Sequence, residues 1–272
     1  MSDFLTEMSR ASVLRARATR QRADVADLQT QAASATSPLP LRLTPGGFDL
    51  FAEAKLASPS EGRLVSERSG HTVVSLARSY VSNGAAVVSV LTEPDRFAGS
   101  LEDLEEVAHE VDVPVMRKDF LVDPIQVVEA RATGASGVLL IARMLPGDTL
   151  EEMTDLAISH GMFVLVEVFD RPDLEKAAAV FDRDVLVGVN CRDLATLGID
   201  RSRFETLAPH LPDHLPAVAE SGMTAPEHVA SVAGLGYRMA LVGSTLVSDP
   251  DPGARLSRFL SAGREALSGV SS

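Results

Sequence analysis

The sequence predicts an α/β protein folded as a (β/α)8 TIM barrel with an N-terminal helical extension. From residue 47 onward, eight short β-branched runs alternate with longer amphipathic segments, the pattern of strand and crossover helix. The units recur roughly every 20 to 40 residues, the spacing of βα repeats closing on themselves. No G-x-G-x-x-G turn follows the first strand, where an open doubly wound sheet would carry one.

Residues 1–46 stand outside this repeat, and 47–272 are read as the barrel domain. The extension reads as one charged helix, roughly 3–32, followed by the Ser/Pro-rich stretch SATSPLPLRLTPGG. It is either a solvated arm or a helix capping a barrel mouth. The first strand is 48–55 (FDLFAEAK), followed by a helix over 72–84; the second is 86–91 (AVVSVL), followed by a helix over 100–111 that Ser100 caps. Strand 113–118 (VPVMRK) leads to helix 124–135, 137–142 (GVLLIA) to 147–161, and 163–168 (FVLVEV) to 171–181. Strand 185–190 (VLVGVN) precedes helix 201–211, 216–220 (PAVAE) precedes 224–235 with Thr224 at its start, and 238–243 (RMALVG) precedes 251–267. Gly84, Gly134 and Gly161 follow helices where a left-handed cap is wanted.

Composition narrows the function. A formal charge of -13 without a basic run or aromatic-basic interleaving argues against nucleic acid and anionic membranes as partners. The single cysteine, Cys191, excludes an internal disulfide framework and suits a reducing cytoplasm. The start MSDFLTEMSR has acids where a signal peptide would be apolar, and no uncharged run is long enough for a bilayer span. None of the six histidines ends a strand and no HxH occurs, so neither a metal nor a cofactor is expected. Any anionic ligand must then be held by a few local cations on an acidic protein.

In such a barrel the chemistry sits at the carboxyl ends of the strands. Six of the eight predicted strands end there in a polar group: Glu53 and Lys55, Lys118, Glu167, Asn190 with Arg192, Glu220 with Ser221, and Gly243 with Ser244. Glu53 and Lys55 share one strand face. Each alone could be a plug or a solvated strand end. Together they describe a polar pocket, because burying several charges without a ligand or partners costs several kcal/mol. AESG (219–222) and GS (243–244) follow the seventh and eighth strands, so glycine amides, serine hydroxyls and a helix N-terminus converge on an anion site. Cys191, next to Asn190, points outward against the helices rather than into the pocket.

The blocks EAKLASPSEG (53–62), RKDFLVD (117–123), LVEVFDRPDLEKA (165–177), VNCRDL (189–194), VAESGM (218–223) and VGS (242–244) resemble, in order, the indole-3-glycerol phosphate synthase family over roughly 47–250. That resemblance implies ring closure of 1-(2-carboxyphenylamino)-1-deoxyribulose 5-phosphate to indole-3-glycerol phosphate, with loss of carbon dioxide and water, in tryptophan biosynthesis. It implies Lys118 as general acid, Glu167 as general base, and Lys55 as holder of the substrate carboxylate. Glu53, Asn190 and Glu220 would bond substrate hydroxyls or orient the lysines. Ser58, Ser221, Gly222, Gly243 and Ser244 would hold the phosphate, Phe97, Phe120, Leu139 and Ile141 would wall the aryl ring, and Arg192 would organise the site. The enzyme is expected to be monomeric, cytoplasmic and cofactor-free, with a small anionic phosphorylated substrate. Leu56 and Glu61 depart from the family, which usually has basic residues there, so a paralogue with another substrate and a non-catalytic phosphate-binding barrel are the competing readings. The related phosphoribosylanthranilate isomerase would carry a cysteine and an aspartate where this chain has Glu-Ala-Lys and Asn.

Overall fold

The computed structural model describes residues 3–22, 24–58, 62–64 and 71–269. Eight parallel strands close into one barrel. They are β1 Asp49–Ala54, β2 Val87–Leu91, β3 Val115–Lys118, β4 Gly137–Ile141, β5 Phe163–Val168, β6 Leu186–Asn190, β7 Ala217–Glu220 and β8 Met239–Val242. β1 closes the ring by pairing with both β2, through Phe51↔Val87, and β8, through Asp49↔Met239.

Side-chain alternation splits these strands into two cores. Phe51, Met116, Leu139, Leu165, Leu186, Val218 and Met239 fill the barrel interior. Leu50, Ala52, Val88, Val138, Val166, Val187 and Ala240 face the surrounding helices. The interior is solid: Gly137 leaves the space its missing Cβ would take to the Phe163 ring, which meets Phe51 edge-on at 6.0 Å.

The helices after β1 to β8 are α3 Val73–Ser82, α4 Leu101–Glu110, α5 Pro124–Ala132, α6 Gly147–Ser159, α7 Arg171–Ala177, α8 Ser202–Leu207, α9 Pro226–Gly234 and α10 Pro252–Gly269. Ser100 caps α4 by accepting from Asp103 N, and Gly84, Gly134 and Gly161 adopt φ of 95°, 88° and 76° after their helices. Thr224 does not cap α9. Ala225 is the cap residue, while the Thr224 hydroxyl accepts from Arg201 Nη2 at 3.0 Å and also pairs with His228 Nδ1 at 3.1 Å.

The extension is two helices rather than one, α1 Asp3–Arg22 and α2 Val25–Ser34. Asp24 restarts the chain: its carboxylate accepts from Ala26 N in extended backbone, satisfying one of the first unpaired amides of α2. The break lets Leu28 and Ala32 pack on Ile125 and Val128 of α5. α1 lies across the carboxyl mouth, where Leu5 and Met8 join the interior cluster and Phe4 meets Phe120 edge-on at 5.8 Å. Of the two readings of the extension, it is the capping helix. Among the described residues, no helix is long and apolar enough to cross a membrane.

Candidate active site

A cavity of about 340 Å³ opens at the carboxyl ends of the strands. Alternation places one inward side chain from most strands in it, and their identity sorts its walls. β1, β3, β5, β6 and β7 contribute Glu53, Lys118, Glu167, Asn190 and Glu220, whereas β2 and β4, the strands without a polar end, contribute Leu91, Leu139 and Ile141. Phe97 and Phe120 extend this apolar wall, their rings 6.1 Å apart. Lys55, Arg192, Ser221, Gly222, Gly243 and Ser244 complete the polar side.

The charges are organised as two linked groups. Lys118 Nζ stands 3.3 Å from Glu167 Oε2 and 3.4 Å from Glu220 Oε2, and Lys55 Nζ is 2.6 Å from Glu53 Oε1. Burial alone would lower the Lys118 pKa, but the carboxylates of Glu167, Glu220 and Glu53 outweigh it and hold the ammonium above the usual lysine range. Lys118 is therefore a charged proton donor at neutral pH. Glu220 is pushed well above the carboxylate range, chiefly by burial and then by Glu167. Its Oε1 has no hydrogen-bond partner and occupies space that a Cβ on Gly188 would fill; Gly243 likewise leaves room for Glu53 Oε1.

Asn190 Oδ1 accepts from Arg192 N at 2.9 Å, and Arg192 Nη1 donates to Leu197 O at 2.9 Å, so Arg192 ties the loop after β6 to the strand end. Cys191 is buried outside the pocket, and burial raises its thiol to about 11, which leaves it a protonated thiol at neutral pH.

After β7 the chain makes a tight left-handed turn, with φ of 68° at Ser221 and 72° at Gly222. A side chain at Gly222 would also lie 2.7 Å from Cys191 Sγ, so only glycine fits. The conformation at Ser221 costs of the order of 1–3 kcal/mol and must be held from outside. Arg201 Nε donates to Gly222 O at 2.7 Å and Arg255 Nη2 to Thr224 O at 2.7 Å. With its carbonyls bound to these guanidinium groups, the turn lines the cavity beside Gly243 and Ser244 of the neighbouring strand end, the latter opening the short helix Ser244–Val247.

The cavity thus gathers every residue singled out in the sequence except Ser58, which pairs with Gly62 in a two-residue hairpin and whose side chain falls outside the described residues. Glu61 also lies outside them. Leu56 packs against the outer core. Sequence reasoning missed Arg201 and Arg255, distant in the chain from the turn they hold, and Leu194, Ile199, Met223 and Thr245 on the rim. Met223 and Thr245 adjoin the marked Gly222 and Ser244, and Leu194 ends the block VNCRDL, whereas Ile199, Arg201 and Arg255 had no signal nearby.

A family model described as indole-3-glycerol phosphate synthase matches residues 5–259. Indole-3-glycerol phosphate synthase of Nocardioides sp. is 47% identical over 213 residues, covering 78% of this chain and 80% of that protein. The protein of the same name from Mycobacterium avium is 41% identical over 267 residues, covering 94% and 96%. Among solved structures, phosphoribosylanthranilate isomerase from Thermotoga maritima aligns with a TM-score of 0.55 at 16% identity, over 80% of this chain and 99% of that one. Thiamine phosphate pyrophosphorylase from Pyrococcus furiosus aligns at 0.56 and 15%, over 80% and 96%. These two likenesses show the barrel fold. With its length matched by the family model and the relatives alike, the chain belongs to the indole-3-glycerol phosphate synthase family.

Proposed function

We propose that this chain closes 1-(2-carboxyphenylamino)-1-deoxyribulose 5-phosphate to indole-3-glycerol phosphate, releasing one carbon dioxide and one water. The observation that carries this reading is the Lys118 ammonium held between Glu167 and Glu220 beside an apolar wall. The aryl ring lies against Phe97, Phe120, Leu139 and Ile141, its carboxylate toward Lys55. The phosphate takes the far end, at Ser221, Gly222, Gly243 and Ser244, with Ser58 from the hairpin.

The ring carbon bearing the carboxylate attacks the ketone carbon, and Lys118 protonates the oxygen that becomes negative. The carbon–carboxylate bond then breaks and its electron pair neutralises the ring cation, restoring aromaticity. Loss of the new hydroxyl as water needs a proton delivered to that oxygen and another removed from the carbon next to nitrogen. Glu167 removes it, with Lys118 or Lys55 as acid. Glu53 and Asn190 orient Lys55 and the substrate hydroxyls, and Glu220 holds the Lys118 charge. A cytoplasmic monomer is the matching physiological reading, and sedimentation of the purified protein checks its oligomeric part.

The test is to mix protein and substrate without added metal or cofactor and to follow indole fluorescence, for which a chain with no tryptophan gives a low background. Product is expected from the native protein, with turnover at least about 100-fold lower in Lys118→Ala and in Glu167→Gln, the scale of general acid-base contributions. Binding without product would instead support a non-catalytic barrel or another substrate.

A further inference from the structure

A buried ionic cluster just behind Lys118 has no part in these steps. Asp119, only 2% exposed, has both carboxylate oxygens fully engaged. Oδ1 accepts from Arg15 Nη2 at 2.7 Å and Phe120 N at 2.7 Å, and Oδ2 from Thr92 Oγ1 at 2.8 Å and Arg117 Nη2 at 3.2 Å. A second buried carboxylate, Glu93, accepts from the amides of Asp95, Arg96 and Phe97 and fixes the turn after β2. Arg15 Nη1 lies 3.5 Å from it. One guanidinium from the N-terminal helix α1 therefore stands between two buried carboxylates, each governing a mouth turn that carries a pocket aromatic ring.

The surroundings make this a rigid assembly. Arg117 continues from Asp119 to Glu129 Oε2 at 2.8 Å and to Gln126 O at 2.9 Å, and Ser12 of α1 exchanges hydrogen bonds with the Gln126 amide. Without Arg15, Arg117 alone would serve Asp119 and Glu129, and Glu93 would keep only its three amide donors, leaving buried negative charge undercompensated. The turns would have to move to hydrate it. Displacements near 1 Å at a reacting group are enough to cost about 100-fold in rate.

We infer that Arg15 and Asp119 are positioning residues for the ring closure: docking of α1 through Arg15 locks the turns after β2 and β3 in one frame, setting Lys118, Phe97 and Phe120 together. This rests on the reading of Lys118 as the general acid.

The experiment is steady-state kinetics on the full chain with Arg15→Met, Arg15→Lys, Asp119→Asn and the Arg15→Met/Asp119→Asn double variant, alongside melting temperatures. Arg15→Met and Asp119→Asn should each lower kcat by about 10- to 100-fold, with the larger share of the loss in kcat rather than KM. The double variant should be no worse than the poorer single one within about threefold, since both break one unit. Arg15→Lys, which keeps the charge but cannot span both carboxylates, should fall between. A displaced Lys118 also loses the fields of Glu53, Glu167 and Glu220, so the alkaline limb of the Arg15→Met profile should move to lower pH. Losses that multiply in the double variant, or an Arg15→Met protein with a lower melting temperature but native kcat and pH profile, would overturn the inference. If Asp119→Asn does not fold, the two Arg15 variants decide it. Native turnover in Lys118→Ala would sink the underlying reading instead, whereas an inactive Lys118→Ala beside a native-like Arg15→Met would sink this inference alone.

Discussion

At the scale of the residue, Glu220 shows how the site trades stability for preorganisation. Its carboxyl is buried beside Glu167, with one oxygen partnered only by the space over Gly188. Because its folded pKa is raised, the folded state holds a proton that the unfolded state has already released. Stability from this group is therefore fullest below the ordinary carboxylate range and is lost as pH rises toward the raised value. Glu220→Gln removes that slope and leaves an amide that can donate to Glu167. The variant should melt about 2–4 °C higher for each kcal/mol recovered, with the gap over the native protein widening from about pH 5 to pH 8, and turnover should fall. A melting difference independent of pH would mean that Glu220 is ionised in the fold. The polar strand ends were legible one by one, since period-two alternation fixes which side chain points inward. The raised state of Glu220 was not, because it depends on a neighbour 53 residues away in the chain, Glu167.

At the scale of the element, strands were easier to read than turns and caps. VPVMRK and VLVGVN mark themselves as strands because β-branched runs between turn residues have few other uses. The break at Asp24 went unread because 3–32 keeps a helical composition throughout, and only the α5 groove explains why the chain turns. The turn after β7 is a mixed case: Ser221 and Gly222 were evident, while the arginines that hold them arrive from α8's N-terminal flank and from α10. If this turn receives the phosphate, its geometry matters to binding more than to the proton transfers. Arg201→Gln should accordingly raise KM by about 10-fold while changing kcat less than about threefold, and weaken competitive inhibition by inorganic phosphate by the same factor, the signature of lost uniform binding. A loss confined to kcat would place the turn in the chemistry instead.

At the scale of the whole molecule, an acidic protein must admit an anion at both ends of its substrate. The net charge of -13 repels such a ligand at long range, while inside the cavity Lys55, Lys118 and Arg192 stand against Glu53 and Glu167, with Glu220 holding its proton. With only one near charge in excess, the far field should govern approach. That field reaches about 30 Å at 0.01 M salt but only about 10 Å at 0.1 M. Raising salt across this interval should therefore increase kcat/KM, by no more than about threefold, and leave kcat unchanged, because the contacts within the cavity are shielded from the screening ions. Stopped-flow mixing at a series of ionic strengths measures this directly. A fall in kcat/KM would mean that the arginines around the β7 turn, Arg201 and Arg255 among them, create a local positive field strong enough to steer the phosphate inward against the charge of the whole.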